Sequence, residues 1–154
     1  MTDLTIFKNE FCISTDQSKL DIDAIYKFLS MEAYWCLNIP RETVQTAIQN
    51  SLCFGVYKDQ EQVGFARVIS DFSTIAYLGD VYILKAFRGN GLSKWLMETI
   101  MNFPGLQGLR RWILLTGDAH GLYRKFGWTS ITNPDKWMEL HHENIYANLT
   151  VKPP

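Results

Sequence analysis

Apolar residues recur with different periods along the chain, and each change of period marks a change of element. Ile22, Ile25, Tyr26, Leu29 and Met31 lie near helical spacing and predict an amphipathic helix after the polar residues 15–19. Pro40 prevents its continuation, and Arg41-Glu42-Thr43 opens a second helix with Val44, Ala47 and Ile48 on one face, ending near Asn50. Ahead of both, residues 11–14 read as a short strand. The middle of the chain is β-rich: runs 52–57 and 63–70 flank the polar residues 58–62 as a hairpin, and a third run, 75–84, completes an antiparallel meander. Helical spacing returns from Gly91 with Leu92, Trp95, Leu96, Thr99, Ile100 and Phe103, and stops before Pro104-Gly105. Residues 109–115 predict a strand, and 118–126 a short helix with Asp118 as N-cap and Gly127 past its end. Residues 137–140 predict a last strand. The order β, αα, βββ, α, β, α, β predicts an α/β (α+β) fold, a mixed sheet with helices packed on it.

Composition changes this picture little. The 154 residues are 47% hydrophobic and carry no repeat or linker, which predicts a single domain over 1–154. Fifteen Lys+Arg against sixteen Asp+Glu leave a net charge of -1, so no global charge points to nucleic acid or a membrane surface, and Arg110-Arg111 alone is too little to change that. The first residues lack a signal-peptide pattern and no apolar run nears ~20 residues, so a cytoplasmic location is expected. Cys12, Cys36 and Cys53 are an odd set without CxxC spacing; buried thiols are expected, and no metal.

The segment 80–93 carries the most chemical information. A β-rich run enters the turn Arg88-Gly89-Asn90-Gly91 and an amphipathic helix starts at Leu92-Ser93. Glycines there allow close backbone approach, and the first helical amides lack intrahelical acceptors, so the turn is a candidate cradle for a pyrophosphate with Arg88 at its rim. The plainer alternative is a turn whose glycines only relieve steric strain. A P-loop is absent, and GxGxxG fails because Lys94 stands at the third glycine position.

Arg88-Gly89-Asn90-Gly91-Leu92-Ser93 resembles the R/Q-x-x-G-x-G/A signature of the GNAT N-acetyltransferase superfamily, with Ser93 at the last small position. Downstream, Leu122-Tyr123-Arg124-Lys125-Phe126-Gly127-Trp128 resembles that family's L-Y-x-K-x-G-F element, with Ala119 on its usual preceding alanine and Thr116 where many members place asparagine. The element order is similar as well. The resemblance implies a mostly antiparallel sheet flanked by helices and acetyl-CoA as co-substrate, its pyrophosphate on residues 88–93. It further implies main-chain groups of Val81, Tyr82 and Ile83 along the pantetheine and the thioester carbonyl, and an acceptor wall in residues 31–40. There Tyr34 and Trp35 would stack on or enclose the acceptor and Glu32 would hold an ammonium; the alternative is that the two aromatics are core packing residues.

The same resemblance implies Tyr123 as the acid that protonates the leaving thiolate; the alternative is a tyrosine packed against the sheet. His120, one helical turn earlier, is either a base on the same face or the partner of Asp118 at a helix start. Asp80, a carboxylate inside a β-rich run, is either the base that drains the amine's proton or a group facing solvent or hydrogen-bonded to a neighbouring strand. His141 and His142 are expected at the surface. The resulting expectation is an acetyl-CoA-dependent N-acetyltransferase acting on a small-molecule primary amine by direct transfer in a ternary complex. A CoA-binding sensor without turnover and an acyltransferase for protein amines are the alternatives. No nucleic acid or membrane partner is expected, and a homodimer stays open.

Overall fold

The structure, a computed structural model, describes residues 1–147 and 149. Six strands, β1 (Thr5–Lys8), β2 (Phe11–Ser14), β3 (Leu52–Lys58), β4 (Glu61–Ser70), β5 (Ile75–Ile83) and β6 (Arg111–Leu114), form one sheet in chain order. Neighbours are antiparallel up to β5, and only β5 and β6 run parallel. The parallel pair needs a crossover, supplied by α3 (Leu92–Met101). Two helices, α1 (Ile22–Met31) and α2 (Arg41–Gln49), join β2 to β3, and the short α4 (His120–Arg124) follows β6. The sheet is thus mixed, mostly antiparallel and flanked by helices.

Nearly continuous burial of β3 and β4 follows from helices on both faces. On one face Ile13, Phe54, Val56, Val68 and Leu78 pack against Leu96, Met97 and Ile100 of α3. On the other, Phe65 and Tyr82 pack against Ile25, Phe28 and Leu29 of α1 and Val44 and Ile48 of α2. Full burial of each such side chain contributes roughly 1.5–3 kcal/mol. Capping sets where α1 begins: the Asp21 carboxylate accepts from the Ala24 amide at 2.9 Å.

Several expectations are corrected. Strand β1 has an exposed, aperiodic pattern and owes its form to pairing with β2 across a turn in which Asn9 takes φ 55°. The expected strand at 137–140 does not form: β-propensity needs a partner strand, and here Met138 is 98% and Leu140 86% exposed while Trp137 lies under the Arg111 guanidinium at 5.2 Å. Asp118 does not cap α4; the Thr116 hydroxyl accepts from the Ala119 amide at 3.0 Å instead. Of the three thiols only Cys53 is buried, Cys12 and Cys36 being half-buried. No helix among the described residues is long and apolar enough to cross a membrane.

Candidate active site

β5 and β6 pair from Ile75 opposite Arg111 to Leu78 opposite Leu114 and no further, although β5 runs on to Ile83. Residues 79–83 therefore have β4 on one side and, among the described residues, no partner strand on the other. The departure coincides with a bulge. Between the pairs Arg67–Gly79 and Phe65–Tyr82, β4 contributes Ala66 alone while β5 contributes Asp80 and Val81, and a bulge bends and twists its strand. Asp80 takes φ 54°, a left-handed conformation that costs an L residue roughly 1–2 kcal/mol.

A cavity of about 960 Å³ opens at this gap. Its walls are Asp80 and Val81 of β5, Tyr34 and Trp35 from the segment joining α1 to α2, Tyr123 of α4, and the turn at 115–119, with residues 141–147 at one side. Tyr123 is 7% exposed; burial, then the nearby Asp118 and Tyr34, push its phenol up to about 12, so it stays protonated at neutral pH. Tyr34 accepts from the Gly117 amide at 2.9 Å through its hydroxyl and meets the Trp35 ring edge-on at 5.1 Å.

Of the readings open for Asp80, the structure shows the neighbouring-strand contact. Arg67 Nε of β4 donates to Asp80 Oδ2 at 2.7 Å, and the Trp35 indole N–H donates to Oδ1 at 3.2 Å. The paired side chains are only 17% and 12% exposed. Arg67 Nη1 also donates to Ser51 Oγ at 3.2 Å, and that hydroxyl donates to the Ala47 carbonyl at 2.7 Å, tying β5 through β4 to the end of α2. Arg67 escaped the sequence reading. Its one signal was a charge inside the apolar run 63–69, answered by the charge of Asp80 in the next strand.

The remaining candidates divide by position. His120 and Glu32 are exposed and lie outside the cavity lining, whereas His141 and His142 are exposed, as expected, and line it. Tyr82 and Ile83 point their side chains into the core, Tyr82 stacked on Phe28 at 3.7 Å, so only their main chain can serve a ligand. Leu92 is likewise buried and offers only its amide.

The glycine turn lies beyond the end of β5. Gly89 and Gly91 take φ of 85° and 72°, and beyond the adjacent residues no atom comes within 4 Å of where a Cβ would stand at either, so open space lies outside the turn. Trp95 N–H bonds the Gly91 carbonyl at 3.0 Å as the first closure of α3, leaving the amides of Leu92, Ser93 and Lys94 at the exposed helix start. Arg88 Nε donates to the Ile83 carbonyl at 2.9 Å and ties the turn to the end of β5, while Asn90 Nδ2 donates to the Phe87 carbonyl at 3.0 Å and braces the turn locally.

The sequence profile described as the acetyltransferase (GNAT) family matches residues 22–128, which include the turn, the gap and Tyr123. A Gibberella zeae protein with a provisional acetyltransferase assignment is 35% identical over 140 residues, 77% of this chain and 78% of its own. A crystal structure from Xanthomonas campestris pv. campestris, of a protein assigned to the GNAT family, superposes with a TM-score of 0.87 at 50% identity, covering 89% of this chain and 96% of that one. An Elizabethkingia anophelis GNAT acetyltransferase with acetyl-CoA bound shares the fold, with a TM-score of 0.60 at 14% identity over 89% of this chain and 91% of its own. The gap between parallel strands, the glycine turn at the start of α3 and these likenesses lead to one conclusion: the chain belongs to the GNAT acetyltransferase family.

Proposed function

We propose that the protein is an acetyl-CoA-dependent N-acetyltransferase that moves an acetyl group to a primary amine of a small molecule by direct transfer in a ternary complex. The observation that carries this reading is the cavity in which the protonated Tyr123 phenol and the unpaired edge of β5 meet. The residues fit such a co-substrate: exposed amides at the start of α3 suit a diphosphate, and the space outside Gly89 and Gly91 admits it. Acetyl-CoA, when bound, supplies an activated acyl group on a thiolate leaving group.

Main-chain groups at Val81 polarise the carbonyl, an electrostatic contribution that needs no side chain. Tyr123 gives its proton to the sulfur as the C–S bond breaks and the C–N bond forms. With Asp80 held by Arg67 and Trp35 and His120 outside the cavity lining, the amine's proton is assigned to water in the cavity rather than to either side chain. Tyr34 and Trp35 form an aromatic wall for the acceptor, and the cavity volume falls in the range typical of small-molecule sites, about 300–1,000 Å³. Thiol release from acetyl-CoA, followed across a panel of small primary amines, tests the proposal. Turnover with at least one is expected; tight CoA binding with no turnover on any amine would replace the transferase by a CoA sensor.

A further inference from the structure

We propose that Asp80 is a positioning residue: its ion pair with Arg67 clamps the β5 bulge and thereby fixes the main chain of Val81 toward the cavity. The inference rests on the acetyl-transfer reading above. Because Asp80 and Val81 face Ala66 alone, the regular ladder that orients peptide planes elsewhere in β5 is interrupted where the orientation matters. The peptide plane joining Asp80 to Val81 is set by the backbone angles of Asp80. Those angles include φ 54°, which persists only where the surroundings impose it.

The surroundings that impose it are on view. Two elements grip the carboxylate from different directions, Arg67 of β4 at 2.7 Å and Trp35 of the acceptor wall at 3.2 Å. Arg67 is in turn held by Ser51 at 3.2 Å, so it cannot swing away without breaking a second bond. A bidentate-capable guanidinium on a mostly buried carboxylate is a geometric clamp. Loss of the clamp releases the bulge, and the Val81 amide is then no longer preorganised for the carbonyl.

The test compares wild type with Arg67→Met, Asp80→Ala, Asp80→Asn and the Arg67→Met/Asp80→Ala double variant. Arg67→Met and Asp80→Ala are each expected to lower kcat on the order of 100-fold, the scale of losing one oriented oxyanion donor, with KM for acetyl-CoA little changed. The double variant should fall no lower than the singles, because both remove one device. Asp80→Asn should recover most of the kcat lost in Asp80→Ala, since asparagine tolerates the left-handed backbone and its amide oxygen can still accept from Arg67 Nε, and it should leave the acidic limb of the kcat/KM pH profile in place. The Val81 amide resonance should move in the first two variants and return in Asp80→Asn.

Wild-type kcat in Arg67→Met overturns the clamp. So does an Asp80→Asn enzyme as slow as Asp80→Ala with its acidic limb abolished, because Asp80 would then be the base. Lower melting temperatures with intact kcat would reduce the pair to a structural contact and overturn it too. A wild-type protein that acetylates no amine removes the transferase reading, and the Val81 resonance then decides alone: unmoved in Arg67→Met, it overturns the clamp.

Discussion

In the proposed reading the turn at 88–93 and the wall made by Tyr34, Trp35, Asp80 and Tyr123 serve the two ends of one site, and they are built in different ways. The turn is local and mostly main chain: two left-handed glycines, three exposed helix-start amides, and side chains of Arg88 and Asn90 that brace backbone carbonyls within five residues of themselves. The wall is non-local and mostly side chain, with Trp35 meeting Asp80 across 45 positions of sequence and Tyr34 meeting Gly117 across 83. Main chain can hold a constant partner such as a diphosphate whatever the side chains do. Side chains must vary where the acceptor varies. Substitutions at the two ends should accordingly fail in different measurements.

The largest separation is expected at Tyr123. Phenylalanine there keeps the packing against Trp128 but removes the proton donor, and kcat should fall on the order of 100-fold or more, with CoA affinity in calorimetric titration close to wild type. Unchanged kcat would take Tyr123 out of the mechanism. The same residue gives an alkaline signature. Its phenol is raised from the usual 10 to about 12 in the fold, so the stability gained from keeping it neutral is complete below pH 10 and lost as pH rises through 12. Urea unfolding should therefore show wild type losing on the order of 2 kcal/mol more than Tyr123→Phe across that window. Parallel curves would mean that the phenol is not buried as described.

At the other end, Gly91→Val places a β-branched residue at φ 72° and a side chain in the open space before the amides. CoA affinity should drop about tenfold or more, equivalent to ~1.4 kcal/mol, while any residual turnover keeps the wild-type preference among amines. A change of amine preference would erase the distinction between the two ends.

That distinction also explains which features could be read from the sequence. The turn, the helices α1 to α3 and the meander β3 to β5 are each specified within a short window, by glycine positions or by a sustained apolar period. Tyr123 was legible because its neighbours Leu122, Lys125 and Gly127 travel with it in one motif. Arg67 and Asp80 each look like an isolated charge in an apolar strand until a bulge sets them face to face. β1 is held by its hairpin partner rather than by its own pattern, and residues 137–140 have strand-forming side chains but no strand to join. Pairing is a property of two segments, and a period reports on one.

The smallest effect is expected at Trp35, and it tests the wall most selectively. Trp35→Phe keeps an aromatic face beside Tyr34 and removes the indole N–H that donates to Asp80 Oδ1 at 3.2 Å. A partly exposed hydrogen bond of that kind contributes about 0.5–1.5 kcal/mol, so the amine KM should rise about threefold to tenfold. The Arg67 contact with Oδ2 survives the change, so the bulge and kcat should be nearly preserved, and CoA affinity should not move. If the loss appears in CoA affinity instead, Trp35 belongs to the cofactor's end of the site, and the division between a main-chain turn and a side-chain wall fails.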